Sequence, residues 1–233
     1  MRKIQTVTIL LFFLLPTAVK VHAQTKDFGA WFGFELEKEL KDWAFSLAEE
    51  VRSVNNLNDL HGLYTTLGVD YKLSKRFKIG TSYQFIYFND TEYDDFQPRH
   101  RLNLFATGNV KWNHFKFSLR ERLQTTFKDE SERDYKMNPK IRWRSRFELE
   151  YNIPKSKFTP AFSVETYYQL NNPDGNKFDQ IRYKLSGSYK LNKRNELSLY
   201  GQLYHEINVK NPVDLSVVGV EYKFKLKDKK NKE

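Results

Sequence analysis

The chain has no cysteine among its 233 residues. That excludes disulfides, thiolate metal sites and a lipid-anchored cysteine behind a leader. It also lacks a spanning helix: no window beyond the first twenty or so residues holds an apolar run long enough to cross a bilayer. Histidine is sparse. Beyond the leader the histidines are His61, His100, His114 and His205, none followed two residues on by serine and none spaced as metal ligands on a strand. There is no phosphate-cradling glycine loop, no dinucleotide fingerprint and no nucleic-acid recognition motif. No cofactor and no resident metal is expected. The acids Asp90, Glu92, Asp94 and Asp95 could hold calcium only loosely, because their spacing is not that of a dedicated loop.

The first residues carry an address. Arg2 and Lys3 precede an apolar run over residues 9–15, Pro16 ends it, and Val21-His22-Ala23 offers a cut ahead of Gln24. This is the layout of a removable signal peptide over residues 1–23. Residues 24–226 then form one domain, and residues 227–233 a basic tail. The formal charge of +10 includes leader residues Arg2, Lys3 and Lys20, and much of the rest sits near the C-terminus. Such a tail is a solvated end, or a contact for anionic lipid.

What fills the domain is a period of two. In one stretch Phe28, Ala30, Phe32, Phe34 and Leu36 alternate with Gly29, Trp31, Gly33 and Glu35. Strand side chains point alternately to opposite faces, so the segment has one oily and one wet face. Eleven such segments follow one another, over residues 27–37, 43–54, 60–73, 77–88, 99–112, 115–127, 138–152, 158–170, 177–191, 195–206 and 212–226. The expected fold is an all-β antiparallel transmembrane β-barrel of about 10–12 strands in a Gram-negative outer membrane, its oily face toward lipid. A mean hydropathy of −0.71 is compatible with this, since half the residues of a barrel wall line a polar lumen. A soluble barrel or sandwich that buries the oily face is the competing arrangement, because alternation alone does not tell inside from outside.

Short turns near residues 39–42, 74–76, 113–114, 154–157 and 192–194 alternate with longer loops at 55–59, 89–98, 128–137, 171–176 and 208–211. Aromatics gather beside the short turns (Trp43, Tyr71, Phe77, Trp112, Phe115, Tyr151, Phe158, Tyr189) and beside the loops (Tyr87, Phe127, Tyr135, Tyr168, Tyr204). Two such belts are expected at the two water–lipid boundaries. Two features conflict with the scheme. Single-chain bacterial barrels normally have an even strand number, so ten or twelve are expected in the wall. Glu49 and Glu121 fall on the oily face, and bulges that turn them inward are the expected resolution.

Phe28-Gly29-Ala30-Trp31, the run from Ser46 to Arg52, Gly68-Val69-Asp70-Tyr71-Lys72-Leu73-Ser74-Lys75-Arg76-Phe77-Lys78 and His100-Arg101-Leu102 resemble domain-of-unknown-function family 2490 over about residues 27–226. The resemblance implies an outer-membrane barrel and brings no catalytic residue with it.

The wet face is crowded with charge: Arg99, Arg101, Arg120, Arg122, Arg142, Arg144, Arg146 and Arg182, with Glu148, Glu150 and Glu165. These could ring a pore that favours small anionic solutes. Alternatively Arg and Glu interlock and plug the lumen, for which the planar guanidinium fork is suited. The competing enzymatic reading is a hydrolase acting on lipid or peptide at the outer rim, with Asp94, Asp95, His100 and His205 as its candidate residues, or His61 or His100 paired with Ser82.

Overall fold

The computed structural model describes residues 25–90, 95–128 and 138–227. The leader, Asp94, Tyr135 and most of the basic tail lie outside the described residues. The strands are β1 (Thr25–Leu40), β2 (Trp43–Val54), β3 (Asp59–Lys72), β4 (Phe77–Asp90), β5 (Asp95–Trp112), β6 (Phe115–Lys128), β7 (Lys140–Tyr151), β8 (Phe158–Gln169), β9 (Lys177–Lys190), β10 (Asn195–Glu206) and β11 (Val213–Lys225). Consecutive strands pair antiparallel, and β1 meets β11 to close the barrel. No described helix is long and apolar enough to cross a membrane, which says nothing of strands.

All eleven alternating segments stand in the wall. The expectation of an even number, ten or twelve, is corrected here. Each hairpin reverses direction, so an eleventh strand runs the same way as the first, and closure requires a parallel pair. That pair runs in register from Thr25↔Val213 to Glu37↔Lys225. Charge fixes it at one end. Lys223 Nζ lies 3.1 Å from Glu35 and 3.4 Å from Glu37, while Lys225 Nζ lies 2.8 Å from Glu37 and 3.1 Å from Glu39.

The barrel is apolar outside and polar inside. Leu104, Leu119, Leu185 and Leu199 are exposed on the outer face, Leu104 at 61%. Among the described residues, buried apolar side chains number only six, against ten buried polar or charged ones. The arrangement in which the oily face fills the core is therefore not the one adopted. Outer aromatics pair along both rims: Trp43 with Tyr71 at 4.7 Å and Phe115 with Tyr151 at 5.0 Å near the short turns, Tyr87 with Phe96 at 4.8 Å and Tyr168 with Phe178 at 4.9 Å near the loops. Tyr204 leaves the expected belt. It points inward and packs on Trp31 at 5.5 Å between ring centres.

Two bulges interrupt the ladders, and neither is at a glutamate. Register passes without a break through Phe34↔Glu49, Glu49↔Thr65 and Glu121↔Ser145, so Glu49 and Glu121 stay on the outer face. This corrects the expected inward turn. Both carboxylates are satisfied where they stand: Thr65 Oγ1 donates to Glu49 at 2.8 Å, and Trp143 Nε1 and Ser145 Oγ donate to Glu121 at 2.7 and 2.6 Å. The register shifts lie between Arg52 and Ser53 and between Tyr167 and Tyr168. Each leaves one residue of the facing strand, His61 or Asp179, without a partner across the ladder. An extra residue re-aims its side chain. His61 and Asp179, outward by simple alternation, both turn into the lumen. Gly62 beside the first bulge has φ +152°, and a Cβ there would sit 2.5 Å from the Tyr87 carbonyl oxygen. The loop expected over residues 89–98 is shorter than alternation implies, because Asn89↔Phe96 and Asp90↔Asp95 continue the β4–β5 ladder.

Candidate functional site

The lumen is where the charged side chains meet. Its organising group is Glu165 on β8, 2% exposed. Arg144 on β7, the register partner of Tyr167 and two rungs from the Glu165 level, donates from Nε to Oε1 at 3.2 Å and from Nη2 to Oε2 at 2.8 Å. Arg182, opposite Glu165 on β9, donates to the same carboxylate. The Tyr167 hydroxyl adds a contact at 3.2 Å. One acid thus holds two guanidinium groups, each with a further partner. Arg144 Nη1 donates to Gln124 at 2.6 Å, and Arg182 Nη1 to Tyr204 at 3.0 Å. Paired and hydrogen-bonded charges of this kind are strong where water is displaced.

The contacts continue round the wall. From Tyr204 the chain of contacts passes to the Trp31 ring, and the Arg52 guanidinium lies 3.9 Å from the Trp31 ring centre and 3.8 Å from that of Tyr64. In the other direction Gln124 approaches Thr126 at 3.4 Å, Arg101 Nε donates to Thr126 at 3.0 Å and Arg101 Nη1 to Gln84 at 3.0 Å, and Gln84 reaches Thr66 at 2.8 Å. The girdle therefore runs from β3 through β10 and back through β1 and β2, and Tyr204 and Leu215 pack with Trp31, Tyr200 and Val217 where it crosses β11. Gly219 makes room there: a Cβ on it would lie 2.1 Å from the Tyr200 ring.

The lumen holds two chambers with no lining residue in common, and most of the girdle residues line the one at the loop rim. The chamber at the loop rim, about 700 Å³, is lined by Arg52, Arg99, Arg101, Arg122, Arg142, Arg144 and Arg182 with only Asp27 and Glu206 as lining acids. Arg142 is neutralised by Asp179, whose Oδ2 accepts from Nε at 3.0 Å and Nη2 at 2.6 Å; Lys140 lies 3.4 Å from the same oxygen. Arg52 is bonded to Glu50. His61 Nδ1 and Tyr64 Oη lie 2.7 Å apart at this rim. The chamber at the short-turn rim, about 470 Å³, is nearly balanced in sign. There Lys116 meets Glu150 at 2.6 Å and Arg146 meets Glu148 at 3.6 Å. Arg120, between the two levels, lies with Arg122 over the Phe105 ring, at 5.4 and 5.6 Å to its centre.

Among the described residues His100, His205 and Asp95 do not come together; His61 and Ser82 both line the loop-rim chamber, but the β3–β4 register sets Gly62, beside His61, opposite Phe88 and Gly68 opposite Ser82. His100 is outward on β5 and exposed, its Nδ1 2.7 Å from the Tyr83 hydroxyl. His205 is outward on β10, its Nδ1 2.7 Å from Asp214. Asp95 is exposed at the start of β5. Ser82 faces inward and accepts from Asn103 at 3.0 Å, so it and His100 lie on opposite faces of the sheet. No group of three metal-ligating side chains occurs among the described residues.

Sequence reasoning placed neither His61 nor Asp179 in the lumen, His61 entering it only as an enzymatic candidate beside Ser82, and it did not name Gln84, Gln124, Tyr64 or Tyr167 as lumen residues. Gln124 carried a signal, since it alternates in phase with Arg120 and Arg122 on β6, as Tyr167 does with Glu165 on β8. The two bulged residues carried none.

Among solved structures the chain is similar to a bacterial polysaccharide outer membrane secretin, with 13% sequence identity and a TM-score of 0.48 over 81% of this chain and 74% of that one. No curated protein matches it. The family DUF2490, described as a protein of unknown function, matches residues 28–215. The chain belongs to the DUF2490 family.

Proposed function

We propose that the protein is a non-enzymatic outer-membrane β-barrel, occluded at mid-height, whose basic outer chamber collects small anionic solutes without passing them freely. The observation that carries this reading is that the polar interior divides into two chambers with no common lining, with the buried Glu165, Arg144 and Arg182 interlocked in the loop-rim half, inside a wall that is apolar outside. Small barrels have interiors that side chains can fill, and paired Arg and Glu fill this one. The outer apolar face and the rim aromatics support insertion among lipid, with the longer loops outside. An excess of arginine in a low-dielectric chamber raises the local concentration of anions.

The test combines cell fractionation with planar-bilayer recording. The protein is expected in the outer-membrane fraction, with gel migration that shifts on heating, and the purified wild type is expected to give no discrete steps. Replacing the hub by Glu165→Ala with Arg144→Ala is expected to open anion-biased steps. Regular conductance from the well-inserted wild type would overturn occlusion, and recovery in a detergent-free periplasmic extract would overturn the membrane location.

A further inference from the structure

The charges of the outer chamber do not balance evenly around its wall. On the β7–β9 side every guanidinium has its acid: Arg142 has Asp179, while Arg144 and Arg182 share Glu165. On the β4–β6 side Arg101 and Arg122 have no acid partner among the described residues. Arg101 there is bonded only to neutral oxygens, those of Gln84 and Thr126. Arg122, four residue pairs further along the ladder on the neighbouring strand, has a buried Nε with no hydrogen-bond acceptor. Between these two arginines stands the Asn103–Gln124 pair, and Asn103 Oδ1 is likewise buried without a donor. A buried guanidinium N–H left without an acceptor is costly, and native interiors rarely leave one. Arg120 and Arg146, which do not line this chamber, also have a buried Nε without an acceptor, whereas Arg122 faces the chamber, where one group could supply acceptors to Arg101 and Arg122 and a donor to Asn103.

We propose that this wall of the outer chamber is a binding site for a compact, hydroxyl-bearing dianion whose oxyanion edges match two guanidinium forks, of the class of a protonatable phosphate or a phosphate monoester. Both arginines line the open chamber, together with Ser82, Gln84 and Asn103, which are polar and uncharged. The volume of about 700 Å³ suits a ligand of monosaccharide-phosphate size. Arginine binds phosphate with two parallel hydrogen bonds, which a lysine cannot copy. The paired acids on the opposite wall hold the remaining arginines in place, so they do not compete for the ligand. The inference rests on the reading of the outer chamber as an anion-collecting vestibule and narrows it to one wall and one chemistry.

The experiment is calorimetric titration of the full-length folded barrel in detergent with inorganic phosphate, glucose 6-phosphate, malonate and glucose. Saturable binding of inorganic phosphate and glucose 6-phosphate is expected, and none of glucose. Arg101→Gln and Arg122→Gln should each lower the affinity by about tenfold or more, the loss of one charge-assisted contact. Arg122→Lys, which keeps the charge and loses the fork, should fall between. Lys190→Gln in the other chamber should leave binding unchanged. Heat-shifted migration establishes that each variant is folded. Absence of saturable phosphate binding, unchanged affinity in both glutamine variants, or binding of malonate in preference to both phosphates would overturn the proposal. Failure here with a silent bilayer leaves occlusion standing, whereas conductance by the wild type strikes occlusion and not this site.

Discussion

Arg144 and Glu165 meet in a two-point contact inside the barrel, Nε to Oε1 at 3.2 Å and Nη2 to Oε2 at 2.8 Å, with both side chains almost wholly buried. Glu165 also carries Arg182; Asp179 and Glu37 likewise face two cations each, but the pair held by Glu165 is the more deeply buried. Removing it alone strands two buried cations. Glu165→Gln is therefore expected to cost about 3–5 kcal/mol, the scale of a broken buried pair. Glu150→Gln, whose partner Lys116 is partly exposed, should cost about 1 kcal/mol or less. Denaturant unfolding of the detergent-folded barrel measures both, and equal costs would remove Glu165 from the centre of the network.

The closing strand pair gives a second test. Ala30 and Val218 are register partners on the outer face of the parallel β1–β11 seam. An Ala30→Cys, Val218→Cys double variant of this cysteine-free chain should cross-link under mild oxidation, seen as a band that migrates differently without reductant. Ala30→Cys with Tyr222→Cys, four residues along β11, should not. Cross-linking of the second pair rather than the first would mean that the barrel closes in another register. Charge reversal at Lys223 should weaken the seam, because Glu35 and Glu37 would then face a third acid.

The outer face gives a third. Leu104 is 61% exposed, and Leu119 and Leu199 are similarly open. On a water-facing surface, Leu104→Arg would change stability by no more than about 0.5 kcal/mol. On a lipid-facing wall near mid-height it should cost about 2–4 kcal/mol. Folding of the variant into lipid vesicles, compared with its folding in detergent, measures the difference. A negligible cost in vesicles would show that this face does not meet hydrocarbon.

The amino-acid sequence by itself determined the eleven alternating segments and, away from the bulges, the two faces of each, because a period of two needs only local geometry. Phe28 to Leu36 reads the same in the chain as in the wall, and Arg142, Arg144 and Arg146 fall in one phase with Glu148 and Glu150 in both. Tertiary structure decided what local period does not encode. Which face is inside depends on the curvature of the whole sheet, and the polar set took it. Parallel closure of an odd-stranded barrel follows from where the last strand meets the first, with Lys223 and Lys225 set between Glu35, Glu37 and Glu39. Glu49 and Glu121 remain outside because Thr65, Trp143 and Ser145 satisfy them from neighbouring strands. His61 and Asp179 entered the lumen because a bulge exists only between two strands, so one strand read alone cannot reveal it.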